Sequence, residues 1–234
     1  MEQRLYEALQ RNPIIAAVRD DEGLAQCLRT DIQTVFVLYG DICNISEIVR
    51  QIKDAGKIAI VHADLISGLA AKEISVDFLR RSTQADGVIS TRANMIQRAK
   101  ELNMIAILRV FLIDSMALDS ALSAKNLKPD AIDILPGLMP SMLRKVRQLT
   151  GLPILTGGLI TEKKEVMQAL EAGALAISST APDVWQMRHF QYGPRRMADV
   201  RRNRICAPIQ RAGSPRLLSR CCRQGRSARS RCSA

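Results

Sequence analysis

The sequence contains few aromatic residues and no long apolar run. Phe, Trp and Tyr make up 3% of its 234 residues, although apolar residues as a whole make up 47%. A core must therefore be aliphatic, and stacking of bases on aromatic rings cannot dominate any binding of single-stranded RNA. No apolar run reaches the roughly 18 residues that a membrane span requires, and the N-terminus lacks the apolar stretch of a secretory signal. We therefore expect a cytoplasmic protein without membrane contacts.

Metal-binding residue patterns are also missing. The chain has two histidines, His62 and His189, and only Cys27 and Cys43 lie in the first 187 residues. No Cys/His group with the spacing of a metal site occurs there. We predict no metal ion and no cofactor.

The net charge of +11 is unevenly distributed. Residues 1–187 carry 21 Lys and Arg against 22 Asp and Glu, whereas residues 188–234 carry 13 Arg, no Lys and one acidic residue, Asp199. We predict one domain over residues 1–187 and a disordered Arg- and Cys-rich tail over residues 188–234. The tail is interpreted either as a basic arm that grips RNA or as a stretch translated out of frame.

Eight short apolar runs alternate with segments of helical periodicity in residues 1–187. The runs are nearly continuous in apolar residues, as is typical of parallel strands buried on both faces. They are Ile14–Val18, Thr34–Gly40, Ile58–His62, Gly87–Thr91, Ile105–Phe111, Ala131–Leu135, Ile154–Thr156 and Leu175–Ser178. Eight such units predict a TIM-type (β/α)8 barrel, with an open doubly wound sheet as the alternative. The leading segment Gln3–Arg11 is predicted to be a helix that plugs the closed end.

The loops after the last two strands have the composition of a phosphate site. Barrels of this type often bind phosphate with the loops after strands seven and eight. Gly157 and Gly158 would allow backbone N–H groups to approach an anion, and Ser179 and Thr180 can donate hydroxyl hydrogen bonds. We further predict that Thr180 is the N-cap of a helix with Pro182 in its first turn. A tight turn and a helix cap without a ligand are the alternative interpretation.

Five more polar residues fall at or near the predicted strand ends: Arg19, His62, Asp64, Arg109 and Asp133. His62 and Asp64 are two residues apart and are predicted to point the same way, as an acid–base pair, a ligand-orienting pair or a simple hydrogen-bonded pair. The two arginines need either acidic partners or an anionic ligand. Asp133 interrupts an apolar strand and needs a partner, for which Arg109 is the candidate.

The strand ends contain few groups suited to catalysis. No lysine stands where a Schiff base would form, because Lys57 starts a strand at the opposite end. We therefore predict no catalytic residue and a sensor rather than an enzyme. An aldolase or isomerase acting on a small phosphorylated substrate is the alternative.

Several segments resemble the glycerol-3-phosphate-responsive antiterminators of glycerol uptake operons. The most specific are His62–Leu69, with the pattern His-x-Asp-Leu-x-x-Gly-Leu, and Ile134–Pro140, which reads Ile-Leu-Pro-Gly-Leu-Met-Pro. Others are Pro13–Arg19, Ile89–Thr91, Arg109–Ser115 and Gly157–Ile160. The chain departs from the pattern at Asp133, where we expect Glu, and over Ala70–Val76.

The resemblance implies a β/α barrel that responds to glycerol 3-phosphate and is not an enzyme. It further implies binding to the leader mRNA of a glycerol-utilisation operon, which prevents premature termination of transcription. Such binding needs a local basic surface, because residues 1–187 are nearly neutral. Candidate clusters are Arg80-Arg81, Arg92-Arg98-Lys100, Arg144-Lys145-Arg147 and Lys163-Lys164. Assembly into a homo-oligomer stays open.

Overall fold

The computed structural model describes residues 3–187 and contains a closed eight-stranded barrel. Predictions about residues 188–234 lie outside the described residues. Every strand pairs in parallel with the next along the chain, and β8 pairs with β1. The strands are β1 (Ile14–Val18), β2 (Thr34–Val37), β3 (Ile58–His62), β4 (Gly87–Ser90), β5 (Ile105–Phe111), β6 (Ala131–Leu135), β7 (Ile154–Gly157) and β8 (Ala176–Ser179). The predicted (β/α)8 barrel is confirmed, and the open sheet is wrong.

Helices connect successive strands and also flank the barrel at both ends of the described chain. They are α1 (Gln3–Arg11), α2 (Asp21–Leu28), α3 (Ile45–Asp54), α4 (Glu73–Ser82), α5 (Ala93–Glu101), α6 (Ser115–Leu127), α7 (Pro140–Thr150), α8 (Lys163–Glu171) and α9 (Pro182–Trp185). A 3-10 turn, Ala63–Leu65, follows β3. Within residues 3–187 no helix is long and apolar enough to cross a membrane.

Aliphatic side chains fill the barrel interior, as the shortage of aromatic residues requires. One buried cluster contains residues from all eight strands, although not the last residue of any strand, together with Leu5 and Leu9 of α1. The helix predicted over Gln3–Arg11 is therefore confirmed as the plug of the closed end.

Alternation along the strands identifies the side chains that face the open end, here called the mouth. Side chains two apart on a strand share a face. Ile60, Ile107 and Ala131 belong to the interior cluster, so His62, Arg109 and Asp133 face the interior one layer nearer the mouth. Ala176 also belongs to the cluster, which places Ser178 in that polar layer.

Five predicted strand boundaries, in β2, β4, β7 and β8, differ from the structure by one to three residues. The largest difference is at β2, which ends at Val37 instead of Gly40. Gly40 has φ +107°, and this conformation cannot continue a strand. The chain therefore turns before the predicted end.

Candidate ligand site at the barrel mouth

A cavity of about 140 Å³ opens at the mouth beside the loops after β7 and β8. Its lining brings together four of the predicted site residues: Arg109, Gly158, Ser179 and Thr180. The other lining residues are Ala17, Leu38, Leu135, Leu159, Ile160, Thr161, Ser178 and Ala181. Apolar walls with a few convergent polar groups are typical of small-molecule sites.

Arg109 is the charged residue in the lining of this cavity. The side chain is 94% buried, and its Nε donates a hydrogen bond of 2.8 Å to Oδ2 of Asp133, its register partner on β6. The predicted pairing of these two residues is confirmed. No described residue accepts a hydrogen bond from Nη1 or Nη2 of Arg109, so these donors remain for a ligand. A guanidinium fork matches a carboxylate or a phosphate in geometry.

Two buried atoms beside this ion pair also lack partners within the described chain. They are Oδ1 of Asp133 and Nδ1 of His62. Burial raises the pKa of the Asp133 carboxyl, and the Arg109 guanidinium opposes this rise. Since an unsatisfied buried polar atom is costly, both atoms are candidates for contacts with a ligand or with water.

His62 is held in its neutral form. Burial and, to a smaller extent, the positive charge of Arg109 lower the pKa of the imidazole to about 4, although Asp64 works in the opposite direction. A neutral imidazole has one donor and one acceptor nitrogen, which suits hydroxyl groups. His62 and Asp133 do not line the cavity itself, but they lie in the same polar layer of the barrel as Arg109.

Asp64 fastens the end of β3 to the end of β4. Its carboxylate accepts hydrogen bonds from the Ser90 hydroxyl at 2.8 Å and from the Thr91 backbone N–H at 2.7 Å. Its Oδ2 lies 3.8 Å from Nδ1 of His62, which is too far for a hydrogen bond. The two side chains therefore lie close together as predicted, but they are not a hydrogen-bonded pair, because Asp64 stands in the 3-10 turn that begins at Ala63 and bonds to the end of β4.

Gly157 and Gly158 are required by the backbone for two different reasons. Gly157 faces Ser178 across the β7–β8 register, and a Cβ there would overlap both the hydroxyl and the carbonyl of Ser178. Gly158 has φ +68°, and Leu159 follows with φ +61°, a conformation uncommon for a leucine. The loop thus exposes its backbone to the cavity in a conformation that few sequences adopt.

The end of β8 differs from the prediction. The Ser179 hydroxyl donates to the Ile160 carbonyl at 3.0 Å and accepts from the Ala181 N–H at 3.1 Å, so it ties two loops together. Thr180 is not the N-cap: the N-cap is Ala181, and Pro182 is the first helical residue. α9 has only four residues and offers no helix-end anion site.

Ser178 is one of the polar lining residues that the sequence interpretation missed; Thr161 is another. Ser178 is 4% exposed and lies on the interior face of β8. The alternation Ala176, Ser178, Thr180 is the signal that could have found it, since these residues share one strand face.

Arg19 follows β1 at the mouth and is exposed. It makes no ion pair within residues 3–187 and does not line the cavity. Among the described residues, no group of three or more His, Cys, Asp or Glu is placed to hold a metal ion.

The comparisons with known proteins agree on one family. Residues 14–185 match the family described as glycerol-3-phosphate responsive antiterminator. The chain is 40% identical over 186 residues to the uncharacterized protein YgcP of Escherichia coli K12. The alignment covers 78% of this chain and 96% of YgcP.

Two similar solved structures are described as an antiterminator and an antiterminator-related protein of glycerol uptake operons. The glycerol uptake operon antiterminator regulatory protein of Listeria monocytogenes superposes with a TM-score of 0.73 and 32% identity, covering 76% of this chain and 96% of its own. A glycerol uptake operon antiterminator-related protein of Thermotoga maritima has a TM-score of 0.67 and 30% identity, covering 74% of this chain and 98% of its own. The chain belongs to the glycerol-3-phosphate responsive antiterminator family.

Proposed function

We propose that the protein is a cytoplasmic transcription antiterminator that binds glycerol 3-phosphate and the leader mRNA of a glycerol-utilisation operon, and thereby prevents premature termination. The observation that carries this proposal is the guanidinium fork of Arg109, which is unpartnered at both Nη atoms and lines a cavity between the loops after β7 and β8. A buried cation with free donors is suited to a small anion.

The phosphate group fits the outer part of the cavity. Arg109 supplies charged donors, Ser178 and Thr180 supply hydroxyls, and the backbone after Gly158 approaches closely. Gly157 and Ser179 act indirectly, because they set the spacing of the two loops.

The glycerol end of the ligand fits the inner polar layer. Its hydroxyls would lie next to Oδ1 of Asp133 and Nδ1 of His62, two buried atoms without partners that do not line the cavity and that a bridging water would connect to the ligand. Asp64 positions the β4 end instead of touching ligand, and Arg19 at the rim adds positive charge. A ligand with both a phosphate and hydroxyls then provides hydrogen-bond partners for Arg109 and for the inner polar layer, whereas phosphate alone or glycerol alone provides partners for only one of them.

We propose a regulator and not an enzyme. The alternative of an aldolase or isomerase is not favoured by any specific observation at the mouth. Lys57 lies at the closed end, where its ammonium donates to the carbonyls of Thr30 and Ile32 at 2.7 Å each. Likeness to a solved aldolase at 12% identity concerns the fold alone.

A thermal-shift experiment on the full chain tests the ligand. Glycerol 3-phosphate at about 100 times its Kd stabilises a protein by about 2.7 kcal/mol, which raises Tm by roughly 5–10 °C for a chain of this size. Glycerol and inorganic phosphate, each at the same concentration, should give much smaller shifts. Equal shifts with inorganic phosphate would reduce the site to a general anion site, and no shift with glycerol 3-phosphate would overturn the proposal.

Transcription in vitro tests the RNA step. The template carries the leader and terminator of a glycerol-utilisation operon from the source genome. We expect the protein with glycerol 3-phosphate to increase read-through, and the protein with glycerol alone to leave termination unchanged. Read-through that is independent of ligand would contradict ligand gating, and unchanged termination would contradict antitermination.

A further inference from the structure

The charge of the barrel wall is polarised between two opposite sides. Residues 20–54 contain seven Asp and Glu against three Lys and Arg, whereas residues 134–161 contain three Lys and Arg and no acidic residue. α3 follows β2 and α7 follows β6, so the two regions are four units apart in an eight-unit ring. A polyanion would approach the barrel from the α7 side and be repelled from the α3 side.

Four exposed cations on this side form what we call the α7–α8 surface: Arg144 and Lys145 of α7, and Lys163 and Lys164 of α8. None of them makes an ion pair with another residue in the described part of the chain. The nearby Glu162 and Glu165 form the capping box of α8, and Glu165 accepts from the backbone N–H groups of Thr161 and Glu162. Both carboxylates keep their negative charge, so the four cations and the two adjacent glutamates together carry a net charge of +2.

The other basic clusters lack one of these properties. Arg98 is bonded to Asp77 at 2.7 Å and to Glu101 at 2.8 Å, and Arg92 lies 3.8 Å from Asp64. Arg80 and Arg81 are exposed but belong to the last turn of α4, at the closed end of the barrel. Helices α7 and α8 begin at the mouth, and the two lysines are the first two residues of α8.

Arg144 lies on the edge of α7 that faces α8. Arg147, one turn further along α7, packs its side chain over Gly173, just beyond the end of α8. Residues three apart on a helix are neighbours on one face, so Arg144 lies on the same edge, one turn nearer the mouth. This places its charge towards the beginning of α8.

The same loop that walls the ligand cavity leads directly into the α7–α8 surface. Residues 158–161 line the cavity, and Lys163 and Lys164 follow after a single intervening residue. The two hydrogen bonds of Glu165 to the loop backbone couple the loop to the first turn of α8. Leu159 both lines the cavity and is 71% exposed, so it borders the cavity on one side and solvent on the other.

We infer that the α7–α8 surface binds RNA phosphates, and that occupancy of the cavity controls this binding through the loop that joins β7 to α8. This inference rests on the proposed function and names the surface that performs its RNA step. Cationic side chains from two helices can contact successive phosphates of a bound strand or stem. Ligand at the loop backbone fixes the start of α8, which fixes the spacing of Lys163 and Lys164 relative to Arg144.

The test compares two double charge reversals in the full chain, K163E/K164E on the α7–α8 surface and R80E/R81E at the closed end. Both variants change the net charge of the protein by the same amount and retain residues 188–234. Non-specific electrostatic attraction between the protein and RNA therefore decreases equally in the two variants. The probe is the leader transcript of the glycerol-utilisation operon, measured by filter binding with saturating glycerol 3-phosphate. Thermal shifts with glycerol 3-phosphate verify that each variant is folded and binds ligand.

We expect K163E/K164E to weaken RNA binding by about tenfold or more. The slope of log Kd against log salt concentration should become smaller by roughly 1.4–1.8, which is the contribution of two phosphate contacts. R80E/R81E should stay close to the wild type on both measures. If wild type binds the leader but the two variants bind equally, the inference is overturned while the proposed function stands. If wild type does not bind the leader in the presence of ligand, the proposed function fails and the inference fails with it.

Discussion

Arg109 and Asp133 form an ion pair in the barrel wall in which each partner keeps unused hydrogen-bonding capacity. Removing the arginine alone leaves a carboxylate that is fully buried. We expect R109L to lower the free energy of unfolding by about 3 kcal/mol, since breaking a buried pair leaves an uncompensated charge. The double variant R109L/D133L should recover most of this loss, because two apolar residues of similar size need no partner.

Urea unfolding of both variants measures these losses, and R50L serves as the control. Arg50 pairs with Glu47 on the surface, where solvent screens the charges, so R50L should change stability little. The double variant separates stability from function, because it should fold and yet show no thermal shift with glycerol 3-phosphate. A retained shift would remove Arg109 from the ligand site.

His62 predicts a pH dependence of stability. Its pKa falls from 6.5 in the unfolded chain to about 4 in the folded one, so between these values the unfolded state binds the extra proton. The stabilisation is complete above pH 6.5 and is lost as the pH falls towards 4. Linkage gives a loss of about 2 kcal/mol between pH 7 and pH 5.

Chemical unfolding at several pH values measures this slope in wild type, H62Q and H189Q. H62Q should remove the contribution of His62 over this pH range, and H189Q, which changes the other histidine of the chain, should keep it. An unchanged slope in H62Q would show that His62 accepts a proton as readily in the folded state as in the unfolded one.

At the scale of elements, β7 and β8 are held at a spacing that only glycine at position 157 permits. A methyl group there would meet the Ser178 backbone as well as its hydroxyl. We expect G157A to cost about 1–3 kcal/mol, as overpacking of a dense core does, and to weaken the response to glycerol 3-phosphate. Thermal unfolding with and without ligand measures both effects.

The matched control is G56A, at the turn before β3. Gly56 has φ +73° but nothing lies within 4 Å of an added Cβ, so only the left-handed conformation is penalised, at about 1–2 kcal/mol. Its ligand response should be that of the wild type. A normal ligand response in G157A would mean that the β7–β8 spacing does not matter to the site.

The order of elements was predictable because each one satisfies a local rule. Continuous apolar runs identified all eight strands, and helical periodicity identified the segments between them. Boundaries such as that of β2 depended on the conformation of a single residue, Gly40, which the run of apolar letters does not reveal. The ion pair of Arg109 with Asp133 was also predictable, since each residue interrupts an apolar strand.

Details of the site were less predictable, because they depend on which residues leave the regular strand. Asp64 lies near His62 as predicted, but it stands in a 3-10 turn, and its hydrogen bonds go to the end of β4. Ser179 was expected to face a ligand, whereas its hydroxyl joins two backbone groups and Ser178 faces the interior. A shift of one residue in the strand end reverses the face of every side chain that follows.

At the scale of the whole molecule, the cavity and the α7–α8 surface are two sites joined by one short loop, and their coupling must be reciprocal. If saturating glycerol 3-phosphate lowers the Kd for leader RNA tenfold, a coupling of about 1.4 kcal/mol, saturating RNA must lower the Kd for glycerol 3-phosphate tenfold as well. Filter binding measures the first factor, and calorimetric titration of ligand into the RNA complex measures the second.

The variant K163E/K164E sharpens this prediction. It should keep the intrinsic affinity for glycerol 3-phosphate, because neither lysine lines the cavity, and lose the increase that RNA brings. We expect the two changes in Kd to be equal in wild type and absent in the variant. This result would show two sites on one molecule that are linked through the β7–α8 loop. In wild type, a closed thermodynamic cycle requires the ligand to change the Kd for RNA by the same factor as RNA changes the Kd for the ligand. Unequal factors would therefore mean that the ligand acts outside the protein–RNA complex, for example on the RNA itself.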